Sequence, residues 1–504
     1  MIRRPLLRRP LPGILVLLAL AASMSITSAV HAAVYVPTKP ADTADGACDA
    51  DCSLREAVLA ANTHPGDDVI LLHKGVYVLS IPGDEALGAA GDLDVLDDLV
   101  LIGDGAGNTT VNGGAVDRIF QIPGGITVEI RDVTLRNGRA QGDGGAILNM
   151  GELTVVRSLL AANASVAGAS GEGYGGAIFT DGQGSSLVLT GSVLSGNTAQ
   201  AGGGGIAIGG QAALANVTIA GNQTTGPLGG GIYVFARART QVNNATIVGN
   251  SATLEGGGIF AANAAFIGFN PSVFNSILAG NIAASKPDCS GSLDSGYDLI
   301  SDATGCIGPS AARHDLLGTP AARIDPRTGL LAFNGGPTPT TALLAGSPAL
   351  NAGNPAAPGG GALACEAVDQ RGVARPAGGC DIGAFEATTA CVAGGPTLCL
   401  NNGRFKVTAT WQTRTENGTA QGETLTGESG YFWFFDPGNV ELTVKILNGC
   451  ARNGHYWFFA SGLTDVRVDL TVMDTKTGAT KTYTNPRGQA FRPIQDTRAL
   501  NTCP

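Results

Sequence analysis

The chain has 504 residues, 44% of them hydrophobic and 14% charged, with 75 glycines, ten cysteines and a formal net charge of −10. A surface this acidic is repelled by nucleic acid and by anionic membranes, which excludes both as direct partners.

At the N-terminus, Arg3, Arg4, Arg8 and Arg9 precede the apolar run Leu11 to Ala22, and a small-residue stretch ends at Val30-His31-Ala32. This pattern predicts a secretory signal peptide over residues 1–32, cut after Ala32. The apolar run falls short of the roughly 20 residues that a membrane helix needs. Arg3-Arg4 lacks the consensus of the twin-arginine route, and no cysteine follows the cut to suggest a lipoprotein. Loss of the four arginines lowers the basic count from 31 to 27 against 41 acidic residues, a formal charge of −14. No later apolar stretch is long enough to span a membrane, so a secreted or cell-surface location is expected. In an exported chain an even number of cysteines favours disulfides over metal ligands.

Residues 33–80 predict a cap. Ser53-Leu54-Arg55-Glu56 is a capping box opening a short helix, with Leu54, Ala57, Val58 and Ala61 on one face and Asn62 ending it. Cys48 and Cys52 would pin its start. A zinc reading of that pair lacks a second pair of ligands. Strand-like runs follow at Val69 to Leu72 and Gly75 to Leu79.

Residues 81–324 carry a repeat. Ile147, Ile178, Ile206, Ile232 and Ile259 each follow a run of two or more glycines and are separated by 31, 28, 26 and 27 residues. Each repeat closes on an asparagine: Asn163, Asn197, Asn222, Asn250 and Asn281. A fixed period in this range indicates a solenoid. Between the markers the apolar residues alternate with period two, as at Leu187 and Leu189, which indicates strands rather than helices. The predicted architecture is all-β: a right-handed parallel β-helix with an N-terminal helical cap. The asparagines would stack from coil to coil, each amide satisfying buried corner groups. Residues 325–386 are read as the end of this β-helix.

A Thr/Gly/Pro linker over residues 387–398 leads to a domain over residues 399–504 that holds all three tryptophans, Trp411, Trp433 and Trp457. Strand signals recur at Arg404 to Trp411, Gly430 to Phe435, Val440 to Leu447, Tyr456 to Ala460, Val466 to Met473 and Thr480 to Tyr483. Turn residues separate them, which predicts a small antiparallel β-sandwich. Tyr431 to Phe435 and His455 to Phe459 are read as two central strands buried on both faces, rather than as a sugar-stacking surface.

Cys52 to Val58 resembles the CSLREA domain, an N-terminal module of secreted bacterial β-helix proteins, and Gly91 to Val95, Ile102-Gly103 and Gly107 to Val111 continue in that style. The glycine–isoleucine and asparagine elements are similar to polymorphic outer-membrane protein repeats, with leucine or isoleucine where those carry phenylalanine. Ser347 to Gly353, Asp369 to Gly372 and Asp381 to Glu386 resemble the choice-of-anchor Q domain. The last domain resembles a C-terminal module of assorted secreted bacterial proteins. These resemblances imply a secreted or surface β-helix and no defined reaction.

The cysteines Cys48/Cys52, Cys289/Cys306 and Cys365/Cys380 lie close in sequence, and the pairing of Cys391, Cys399, Cys450 and Cys503 is left open by spacing. A hydrolase would need clustered aspartates with a supporting histidine. The five histidines, His31, His64, His73, His314 and His455, all fall outside the five aligned repeats from Ile147 to Asn281, and no such motif occurs. The nearest acidic column is Asp143, Glu172 and Glu255 beside the glycine corners, interrupted by Gln200 and Leu228; acidic turn residues are the simpler reading. Asp92 and Asp94, alternate on one strand, are the residues that would take a metal. No cofactor is called for, and calcium is the one ion the pair would suit. Arg237 and Arg239 read as a solvated face. Gly103-x-Gly105-x-Gly107 lacks the lysine of a phosphate loop and reads as a corner. The sequence thus leads to an exported, non-enzymatic interaction module, adhesin-like, whose partner is a polysaccharide or cell-surface component. The alternatives are a polysaccharide lyase or glycoside hydrolase of the pectate-lyase-like fold, and glycan binding through the C-terminal aromatics.

Overall fold

The computed structural model describes residues 32–83, 87–168, 172–262, 269–344, 346–361, 363–387, 391, 394–401, 403–475 and 479–503. The signal-peptide reading lies outside the described residues, apart from Ala32.

The chain winds into a right-handed parallel β-helix whose wall, among the described residues, is three long parallel sheets and a shorter fourth of four strands, from Arg139–Gln141 to Gln223–Thr224. Sheet one has ten strands among the described residues, running from Val34–Tyr35 through Glu152–Val156, Ser186–Thr190, Gln211–Ala215 and Arg239–Asn243 to Asp294–Gly296. Sheet two, also ten-stranded, includes Leu159–Ala161, Val193–Ser195, Thr218–Ala220 and Thr246–Val248. Sheet three has nine strands, and in it Ile147, Ile178, Ile206, Ile232 and Ile259 lie in register on consecutive coils. All five isoleucines are buried in one apolar column that extends from the cap helix to Ile300. Period-two alternation therefore survives in each strand, because every second side chain must enter this core.

The corners explain what repeats. The residue before each ladder asparagine is left-handed: Gly196, Gly221, Gly249 and Gly280 have φ between 61° and 66°, and Ala162 has φ 55°. Glycine is the residue that takes this angle without strain. The ladder itself is continuous. Asn163, Asn197, Asn222 and Asn250 each donate Nδ2 to the Oδ1 of the next asparagine at 2.8–3.0 Å, ending at Asn281. That same Oδ1 also accepts the preceding asparagine's backbone N–H. Asn281 closes the series on the carboxylate of Asp288.

At the other mouth, Leu54–Ala61 forms the cap helix, with the capping box of Ser53 and Glu56 complete. Leu54, Ala57, Val58 and Ala61 enter the solenoid core. Despite burial, hydrogen bonds from Thr43, Ser53 and Asp45 lower the Glu56 carboxyl to about 2. Arg55, which the sequence showed only as part of the box, is wholly buried. All five of its N–H donors are used: on both Asp42 oxygens and on the carbonyls of Gly88, Gly91 and Asp92.

Residues 325–386, expected to end the β-helix, instead leave it. After the hairpin of Thr328–Ala332 and Thr340–Leu343 they run back along its flank as a strap. The strap's contacts step across four successive coils: Asn354 on Asn275, Glu366 on Asn244, Val368 on Asn216, and Thr338 on Gly191. Asn216, Asn244 and Asn275 form a second asparagine column, with φ 48–51°. The segment leaves the coil because its polar groups are spent on these corners. Buried Arg375 binds Asn216, Gly383 and Glu386, and buried Gln370 accepts from Thr218.

The C-terminal domain packs two five-stranded antiparallel sheets around one core. Five disulfides form: Cys48–Cys52, Cys289–Cys306, Cys365–Cys380, Cys391–Cys399 and Cys450–Cys503. Bridges at this density belong to an oxidising, extracellular environment. No described helix is long and apolar enough to cross a membrane.

Candidate functional site

Of the acidic candidates, Asp143 and Glu172 lie near each other and Glu255 lies apart. In register, Asp143 is followed by Tyr174, Gly202, Leu228 and Glu255 on successive coils. Asp143 and Glu255 therefore sit four coil spacings apart, roughly 19 Å at about 4.8 Å each. Asp143 accepts the backbone N–H of Tyr174 at 2.7 Å, and burial raises its carboxyl above the usual range. Glu172 lies two residues before the column and is exposed; it bonds the Tyr174 hydroxyl. Glu255 is held by Lys286 at 3.0 Å and by the Ser290 hydroxyl at 2.8 Å, and Lys286 first among these keeps it ionised. Each carboxylate has a local partner, and the three share no point where a reacting atom could sit.

Asp92 and Asp94 do face one way, but onto protein. Arg118 donates to Asp92 at 2.9 Å and to Gln121 at 3.0 Å, and Gln121 donates to Asp94 at 3.1 Å. Burial raises Asp92 above the usual range. The pair is the end of a guanidinium–amide chain that ties the first strand of sheet three to the next. Among the described residues no group of three or more His, Cys, Asp or Glu side chains is placed to hold a metal ion.

Beside Asp143 and Glu172, an unforeseen aromatic column lies outside sheet three. Tyr233 stands 5.3 Å from Tyr174, 4.6 Å from Phe235 and 5.2 Å from Phe260, centroid to centroid. Most of these contacts are tilted or edge-to-face, so the rings bury one another more than they present flat faces.

The C-terminal aromatics obey strand alternation, which corrects the expectation that both faces of their strands are buried. Phe432, Phe434, Tyr456 and Phe458 enter the core, while Tyr431, Trp433, Trp457 and Phe459 point away and are half-buried. Trp457 donates Nε1 to Asn453, and Trp411 packs on Phe434 and Phe435.

A hollow opens on the outward face of sheet one. Two adjoining clefts, of about 580 and 460 Å³, share Gln211, Arg239 and Phe269. Strand register builds it. Ser186, Gln211 and Arg239 are neighbours on three successive strands, and two residues along, Val188, Ala213, Gln241 and Ser272 form the next row. Their alternates Leu187, Ala212 and Thr240 point inward and are buried. Arg237 joins from the turn closed by Ala238 N–H on the Phe235 carbonyl, and Gln183 from the equivalent turn two coils earlier. The Arg239 guanidinium lies over the Phe269 ring, 4.1 Å from its centroid. No described lining residue of either cleft is Asp, Glu, His, Cys or Lys. The Arg237-x-Arg239 pair was visible in the sequence; Phe269, thirty residues on, joins it only through the folding of the next coil.

No family model matches the chain, and no curated relative matches it. Among solved structures, it is similar to a pectate lyase, Pel9A, at 13% identity and TM-score 0.30, over 71% of this chain and 98% of that one.

Proposed function

We propose that the protein is an exported, non-enzymatic interaction module, adhesin-like, that uses the outward face of sheet one to hold a cell-surface or extracellular polysaccharide. One observation carries this reading: the hollow on this face is furnished with amides, arginines and a ring, and no group lining it among the described residues accepts a proton near neutral pH. A hydrolase needs two carboxylates there, and a calcium-dependent lyase needs several. The five disulfides support an extracellular setting, and Cys52 to Val58 and Asp369 to Glu386 resemble modules of surface proteins. The test incubates the full chain with acidic and neutral polysaccharides, with and without calcium, and records retention and depolymerisation together. Retention without cleavage is expected; cleavage of any polymer overturns the reading.

A further inference from the structure

We infer that the cleft formed by Arg237, Arg239, Phe269, Gln183 and Gln211 is a site for a polyanionic glycan, one whose repeating units carry carboxylate or sulfate groups. The inference rests on the proposed binding role of sheet one and names the chemistry that the face would select.

Charge is the first argument. The chain carries ten more acidic than basic side chains. Most arginines near the cleft's coils are neutralised: Arg118 by Asp92, Arg157 by Asp132 and Arg313 by Asp294. Arg237 and Arg239 form no ion pair among the described residues, and both side chains are exposed. Two guanidinium groups two residues apart, with no described carboxylate lining the hollow, leave its wall locally positive on an acidic molecule. Such a wall attracts an anion and repels nothing that carries one.

Geometry is the second. A guanidinium presents paired N–H donors that match a carboxylate or sulfate, a fit that an ammonium lacks. The Arg239 guanidinium carbon lies 4.1 Å from the centroid of the Phe269 ring, a cation–π contact that holds the group at the cleft. Gln183 and Gln211 add neutral amides suited to hydroxyls. The floor of small residues, Ala213 and Ser272, leaves room for a chain lying across several coils. Phe269, half-exposed, offers apolar surface to the face of a sugar.

Two other places were weaker. The aromatic column at Tyr174 and Tyr233 spends its rings on each other, and the Tyr174 hydroxyl is held by Glu172. The groove of about 300 Å³ on the outer C-terminal sheet has one cation, Lys445, and one ring, Phe459.

The test is affinity electrophoresis of the full chain in gels containing polygalacturonate, dextran sulfate or neutral dextran. Three proteins are compared: the parent, R237Q/R239Q, and the matched control R136Q/R139Q, which removes two exposed arginines elsewhere on the coils. Retention of the parent by one or both polyanions is expected, and the two gels distinguish carboxylate from sulfate. The R237Q/R239Q protein should bind at least about tenfold more weakly, and the parent's retention should fall with added salt. The control should bind as the parent does. Unchanged circular dichroism and melting temperature show that both variants fold. Equal weakening in the control would assign retention to net charge and overturn the inference. So would undiminished retention of R237Q/R239Q, or no retention by either polyanion. Retention by neutral dextran alone would overturn the anionic ligand and leave the binding role standing, whereas depolymerisation would overturn the binding role itself.

Discussion

Replacing Asn222 by alanine tests the asparagine ladder at its middle rung. The Asn222 Oδ1 accepts the Asn197 backbone N–H at 3.0 Å and its Nδ2 at 2.8 Å, while its own Nδ2 serves the Leu194 carbonyl and the Asn250 Oδ1. The substitution orphans one buried backbone donor and one side-chain donor of Asn197. At about 1–3 kcal/mol for each buried group left unpaired, N222A should cost about 2–6 kcal/mol. Asn163 begins the ladder, and its Oδ1 accepts the Gly138 N–H without an asparagine amide above it. N163A should therefore cost less, about 1–3 kcal/mol. Urea unfolding followed by far-ultraviolet circular dichroism reads the solenoid. All three tryptophans lie beyond residue 399, so their fluorescence reports the C-terminal domain as an internal control. A loss below about 1 kcal/mol in N222A, or a cost for N163A that equals or exceeds it, would refute the account of the corner as a hydrogen-bonded column.

Other outcomes follow from the same structure. R55M should cost about 3–5 kcal/mol by stranding the Asp42 carboxylate against the cap, and D42N/R55M should recover part of it in a double-mutant cycle. Burial pushes the Asp288 carboxyl from 3.8 up to about 6, so its ionised form opposes folding. That penalty is complete above pH 6 and gone below the unfolded value, and stability from this group rises as pH falls. Between pH 7.5 and 5 the parent should gain about 1–1.5 kcal/mol more than D288N in urea titrations, and parallel curves would count against it. C365S/C380S opens a link across 15 residues, should cost about 3 kcal/mol, and should expose the strap to limited proteolysis before the coils. E255Q should lose no more than about 1 kcal/mol, since its partner Lys286 is partly solvated.

The coil was legible because each turn poses the same steric problem. Glycine before Asn197, Asn222, Asn250 and Asn281, and isoleucine entering the core, are requirements restated every 25 to 31 residues, so they rise above drift. The cap was legible for a local reason: Ser53 and Glu56 satisfy each other within one turn. What escaped is what happens once and at long range. Gln370 meets Thr218 across 152 residues, and nothing near either residue announces the other. The second asparagine column lies between these cases. Asn216, Asn244 and Asn275 each stand three residues before a buried Ile or Leu, so their recurrence was in the sequence, but their partners belong to the strap. The arginine cleft escaped because its ring arrives from the next coil, a neighbour set by strand pairing that adjacency in the chain does not reveal.

The strap also works as a ruler. Its polar groups meet Asn275, Asn244, Asn216 and Gly191 in turn, one coil after another, so the distance it spans is a count of turns. Inserting or deleting a coil within that stretch would put every later contact out of step at once. Change in length over generations should therefore avoid that stretch, and the segment carrying the cleft stays fixed in number.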